Sequence, residues 1–140
     1  MNGKNIGGSI GRGVTLVRSA NKNILVDCGD PWNGEEILRQ LSLFGLEKTD
    51  GNSVTLTPAV ELRRCPGHTD HDLIVVASNT ERGRIVISGD IFECASDDAQ
   101  WREVSKYPVL QAKSRLEIEE IADWIVPGHG PMFKNEKRRH

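Results

Sequence analysis

His68, Asp90 and His129 stand in the same kind of place along this chain. Each follows a short apolar run, and each has a glycine beside it: His68 after Cys65-Pro66-Gly67, Asp90 after Ile85-Val86-Ile87-Ser88-Gly89, and His129 after Trp124-Ile125-Val126-Pro127-Gly128. Glycine lets the backbone turn sharply and lets a ligand come close. Loops at strand ends carry sites on a rigid scaffold. Imidazole and carboxylate are the usual nitrogen and oxygen ligands of catalytic zinc, so the chemistry these residues suit is metal-assisted hydrolysis. Taken singly, each residue is more often a hydrogen-bonded or surface loop group than a ligand. The recurrence of one strand-end signature three times in a short chain favours the metal reading.

The elements that must position these groups can be traced from the hydrophobic pattern. Val14 to Arg18 and Ile24 to Asp27 read as two strands of a hairpin, the second ending on an acid. Asn33 is a fitting N-cap, Ile37, Leu38, Leu41 and Phe44 fall at helical spacing, and Gly45 suits a C-cap, so residues 34–44 are predicted as an amphipathic helix. Val54 to Thr57 and Val60 to Arg63 alternate around Pro58, as a hairpin or two edge strands. Leu73 to Ala77 and Arg84 to Ser88 are nearly all apolar and therefore central strands. Asp97 to Trp101 opens a helical or irregular stretch, and Leu110 to Ala122 is a helix with apolar residues at 112, 116, 118, 121 and 122. Trp124 to Val126 is a last strand running into the loop 127–131. The order is mixed α and β around one sheet, an α/β (α+β) class.

At 140 residues the chain is one domain, 1–140, with 37% apolar and 27% charged residues and a net charge of -2. That balance gives no electrostatic footprint for nucleic acid. Residues 134–140 are basic and polar, and read as a solvated tail. Nothing approaches the roughly 18 apolar residues of a membrane span, so no membrane partner is expected. The first residues are Gly-rich with no apolar core of a signal peptide, and the three cysteines, Cys28, Cys65 and Cys94, form no CxxC pair. Free thiols in a reducing compartment follow, with a cytoplasmic or nuclear location expected.

Arg64-Cys65-Pro66-Gly67-His68-Thr69, Ile87-Ser88-Gly89-Asp90-Ile91-Phe92 and Ile125-Val126-Pro127-Gly128-His129-Gly130-Pro131 resemble, in order, three metal motifs of the metallo-β-lactamase superfamily. The opening strands through Asp27-Cys28-Gly29 resemble that family's first strands, so the likeness covers nearly the whole chain. Asp27-Cys28-Gly29-Asp30-Pro31-Trp32, Gly89 to Glu93 and Ser114-Arg115 look closest to a subgroup of zinc hydrolases to which endoribonuclease action on histone pre-messenger RNA ends is attributed. The resemblance implies an αββα sandwich with two zincs. It makes His68 a ligand of the first zinc, Asp90 a bridge between the two and the catalytic residue, His129 a ligand of the second, and Asp27 a residue behind the ligands.

The family's hallmark, His-x-His-x-Asp-His, should lie between about Leu46 and Val54, and it is absent. Glu47-Lys48-Thr49-Asp50 runs straight into Gly51-Asn52-Ser53, as an internal deletion near 50/51 would leave it. The expected architecture is therefore an incomplete sandwich with a gap in its sheet, binding one zinc or none. His68-Thr69-Asp70-His71 matches the end of the hallmark, so Asp70 and His71 stand as substitute ligands. Two functions stay open: an impaired zinc hydrolase with an RNA substrate, or a non-catalytic truncated form that binds, regulates or does nothing. A homodimer is open as well, because a missing strand would leave apolar surface uncovered.

Overall fold

The computed structural model describes residues 6–7, 14–20, 22–27, 48–49 and 53–138. The helix predicted over 34–44 and the junction at 50/51 lie outside the described residues.

The described residues form two sheets rather than one. Strands β1 (Ile6–Gly7), β2 (Val14–Ser19) and β3 (Lys22–Asp27) make a small antiparallel sheet in that order. The second sheet contains β4 (Lys48–Thr49), β5 (Ser53–Thr57), β6 (Val60–Arg64), β7 (Leu73–Thr80), β8 (Gly83–Gly89), β9 (Trp124–Pro127) and β10 (Phe133–Lys134). Its order is β10-β9-β8-β7-β6-β5-β4. β8 and β9 pair in parallel and all other neighbours are antiparallel, so the sheet is mixed. The gap expected at its centre is not present among these strands, because β4 and β5 fold into a hairpin and β5 pairs with β6. The hallmark would have fallen here, and Lys48 and Thr49 pair instead with Val54 and Ser53.

β7 and β8 are buried on both faces, as their apolar runs require. One face packs Val60, Leu62, Val75, Ala77 and Ile87 against Val17, Ile24 and Val26 of the small sheet. A buried hydrogen bond of 2.9 Å between the hydroxyls of Ser19 and Thr57 also links the two sheets. The other face packs Ile74, Val76, Val86 and Ile125 against Ile118, Ile121 and Ala122. These belong to or follow the longer of the two helices among the described residues, α1 (Trp101–Val104) and α2 (Pro108–Ile121). α2 starts at Pro108, before the predicted Leu110, because proline fits a first turn that needs no N–H donor.

The apolar stripe read on α2 is only partly its inner face. Gln111, Ser114 and Ile118 are buried, while Leu116 is 61% exposed and Val109 88%. Two polar residues replace aliphatic ones on the inner face because that end of the helix lies on loop backbone, where carbonyl groups need donors. In the basic tail Lys134, Glu136 and Lys137 are exposed, and the segment up to Arg138 is also held to the domain. Lys134 lies in β10, buried Asn135 donates to the carbonyls of Glu119 and Ala122, and Lys137 and Arg138 pair with Glu119 and Asp123.

Candidate metal centre

Sheet direction alone brings three loops to one edge. β6 is antiparallel to β7, β7 is antiparallel to β8, and β8 is parallel to β9, so β6, β8 and β9 end on the same side. His68, Asp90 and His129 follow those three ends. Their side chains lie together: His68 Nε2 is 3.6 Å from Asp90 Oδ2, and His129 Nε2 is 3.2 Å from Asp90 Oδ1.

Each loop is held by its neighbours. In the His68 loop, Cys65 N–H donates to the Asp72 carbonyl, and the Thr69 N–H and hydroxyl both donate to the Asp72 carboxylate at 2.7 Å. Gly67 has φ +147°, and a Cβ there would lie 2.4 Å from Gln111 Cα, so the loop can approach α2 only without a side chain. Ser114 Oγ donates to the Pro66 carbonyl at 2.7 Å. Gln111 Nε2 donates to the carbonyls of Asp90 and Ile91, both at 3.1 Å. The His129 loop is laced to the Asp90 loop, since Gly128 and His129 N–H donate to the carbonyls of Phe92 and Glu93. A Cβ on Gly128 would sit 1.8 Å from Asp90 Oδ1, so this glycine makes room for the carboxylate.

A fourth residue belongs to the cluster. Ile91 and Phe92 N–H donate to the carbonyls of Ser88 and Gly89, a turn that sets Asp90 and Glu93 on one side. Glu93 Oε2 is 3.5 Å from His129 Nε2, and Oε1 is 3.9 Å from His68 Nδ1. His68, Asp90 and Glu93 can each offer one ligand atom within 4.8 Å of the others, a group able to hold a metal ion; His129 stands outside that group and reaches it through Asp90 at 3.2 Å and Glu93 at 3.5 Å. Sequence reasoning placed Glu93 only inside a motif. The spacing Asp90-x-x-Glu93 just past a strand end was the signal that could have found it.

The electrostatics suit a cation. Burial, and then the Asp90 carboxylate, raise the Glu93 carboxyl above the ordinary glutamate range, while His129 and His68 act the other way. His68 Nδ1 is buried with no hydrogen-bond partner. Three of the four carboxylate–imidazole approaches, at 3.5, 3.6 and 3.9 Å, are too long for hydrogen bonds, while His129 Nε2 and Asp90 Oδ1 are 3.2 Å apart. Donors around one ion at bonds of roughly 2.0–2.2 Å in tetrahedral array would sit about 3.3–3.6 Å apart. Single pairs approach that spacing, His68 Nε2 with Asp90 Oδ2 at 3.6 Å and His129 Nε2 with Glu93 Oε2 at 3.5 Å, while His68 Nδ1 and Glu93 Oε1 are 3.9 Å apart.

The substitute ligands fare differently. Asp70 accepts from Tyr107 Oη at 2.6 Å and from Lys106 Nζ, contacts that hold its carboxyl below the usual aspartate range. It is thus committed to a cation on a neighbouring loop and is not in the 4.8 Å group. His71 is also outside that group, and its N–H is held by Thr69 Oγ1 at 3.3 Å. Asp27 ends β3 opposite Val14, and its side chain lies outside the described residues.

No protein-family model matches the chain. Rat metallo-β-lactamase domain-containing protein 1 is 43% identical over 170 residues, covering 89% of this chain and 68% of that protein. The human protein of that name is 29% identical over 173 residues, covering 91% of this chain, which spans 65% of its length. A putative metallo-β-lactamase from Thermotoga maritima shares the fold with a TM-score of 0.55 at 14% identity, over 86% of this chain and 87% of that one. The chain therefore belongs to the family of metallo-β-lactamase domain-containing protein 1 and has the metallo-β-lactamase fold.

Proposed function

We propose that this chain is an impaired metal-dependent hydrolase whose centre is held by His68, Asp90 and His129. The observation that carries this is their convergence at ligand-like spacing on one sheet edge. Asp90 lies between the two imidazoles, with one oxygen toward each, and so takes the shared-ligand position. Gly128 keeps that carboxylate from being displaced, and Gln111 fixes its backbone from below. A divalent zinc held there would supply a bound water with a pKa near 7 and a Lewis acid for the developing oxyanion. His129, 60% exposed, leaves the centre open to solvent and substrate on its side.

Impairment follows from the missing His-x-His-x-Asp-His donors. The alignment with the human relative runs over 173 positions, more than the 140 residues of this chain, so that protein carries residues that this chain lacks within the matched region. One zinc, not two, fits the donors that remain. RNA is the substrate class this reading assigns, in a cytoplasmic or nuclear setting, from the resemblance to the endoribonuclease subgroup. No described helix is long and apolar enough to cross a membrane. The second reading, a non-catalytic binding or regulatory form, is favoured by the absent hallmark and by the exposed Val109 and Leu116 of α2, which also suit a homodimer.

The test is metal content and turnover together. The full chain, loaded with zinc, is incubated with a single-stranded RNA oligonucleotide, alongside an Asp90→Ala variant. About one zinc per chain and slow, Asp90-dependent cleavage support the proposal. Zinc bound without cleavage supports the non-catalytic reading, and no zinc at all overturns both forms of the metal reading.

A further inference from the structure

We infer that Glu93 is a fourth protein donor of the metal centre, so that His68, Asp90, Glu93 and His129 together enclose a single divalent cation. This rests on the reading above that His68, Asp90 and His129 hold a metal.

Glu93 reaches both imidazoles, and its two oxygens are directed to different histidines. Neither approach is short enough for a hydrogen bond. Two carboxylates, Asp90 and Glu93, face two histidines here, and among the described residues neither forms an ion pair with a lysine or arginine. A cation placed among them removes the repulsion that the protein itself leaves in place. The backbone that carries Glu93 is fixed on both sides. Its N–H donates to Asp97 Oδ2 at 2.7 Å, and its carbonyl accepts from His129 N–H at 2.8 Å. Asp97 is itself clamped by Arg115 through bonds of 2.7 and 3.0 Å, and both side chains are nearly buried. A side chain so anchored needs to give up only its own rotamer freedom to bind a metal.

Two imidazoles and two carboxylates fill the four positions that zinc commonly offers to protein in a closed site. Glu93 would then compete with a bound water for one of these positions. This gives the impairment a second cause, independent of the missing hallmark: the centre binds one ion and leaves little room for an attacking water.

The experiment uses the full chain stripped of metal and titrated with cobalt(II), followed by visible absorption, and with zinc(II) against a chromophoric chelator. The variants are Glu93→Gln, Glu93→Asp, His68→Ala and His129→Ala. Glu93→Gln should bind each ion at least about tenfold more weakly, the scale of losses around metal sites, and should change the cobalt band shape. Metal-free Glu93→Gln should unfold no earlier than the unaltered protein, since the amide removes a like charge. Glu93→Asp keeps the charge but shortens the arm, and should also alter the band shape. If Glu93→Gln keeps full affinity and the unaltered spectrum while the histidine variants lose metal, the centre stands and Glu93 is not a donor. If the histidine variants also bind as before, the centre itself is refuted.

Discussion

Replacing Arg115 by methionine should destabilise the chain by about 3–5 kcal/mol, the usual cost of breaking a buried ion pair from one side. The guanidinium donates twice to Asp97, at 2.7 and 3.0 Å, and once to the Ile91 carbonyl at 2.9 Å. It also lies 3.9 Å from the Phe92 ring centroid and 4.8 Å from that of Trp101. Methionine keeps most of the apolar stem over those rings, so packing is largely preserved and the loss is electrostatic. Asp97, with 5% of its side chain exposed, would keep the Glu93 N–H as its described hydrogen-bond donor. Each charge-assisted bond is worth about 1.5–3 kcal/mol, so three lost bonds exceed the range given, and relaxation with water entry brings the sum down to it. Against a domain stability of about 5–15 kcal/mol, this is a large fraction. The assay is urea unfolding of the unaltered chain, Arg115→Met, Asp97→Leu and the double variant. The double variant removes both charges and should recover most of the loss, with a coupling above about 2 kcal/mol. Single variants within about 1 kcal/mol of the unaltered chain, or additive effects, would refute the claim that this pair ties α2 to the metal-side loop.

Gly128→Ala places a Cβ where Asp90 Oδ1 stands, and should weaken zinc binding at least about tenfold, read by chelator competition. Burial pushes the Cys65 thiol up to about 11, so at pH 8 it should stay unalkylated in the folded chain and react in urea, read by peptide mass mapping. Glu93 is raised in the folded state, so it binds its proton more tightly there than in the unfolded chain. Stability of the metal-free protein should therefore fall as pH rises from the ordinary glutamate range through the raised value, and Glu93→Gln should remove that slope in denaturant titrations.

Much of the fold was legible in the sequence because local patterns are decided by local sterics and burial. The apolar runs of β7 and β8 could only be central strands, and Pro127-Gly128 could only end a strand in a loop. His68, Asp90 and His129 were visible because one signature, a polar residue beside glycine after an apolar run, recurs three times. Residue type and position along the chain did not reveal what those groups touch. Glu93 joins them because β6, β8 and β9 run the same way and Asp97 holds its backbone, relations between segments far apart in sequence. Asp70 matched a motif as well as His68 did, yet Lys106 and Tyr107 take its carboxylate. Gln111 and Ser114 interrupt an apolar stripe because they meet carbonyl groups of two loops, and hydropathy carries no record of which carbonyls α2 will cover. Strand and helix identity follow from the chain's own periodicity, whereas donor spacing of a few ångströms is set only once the sheet's direction and register are in place.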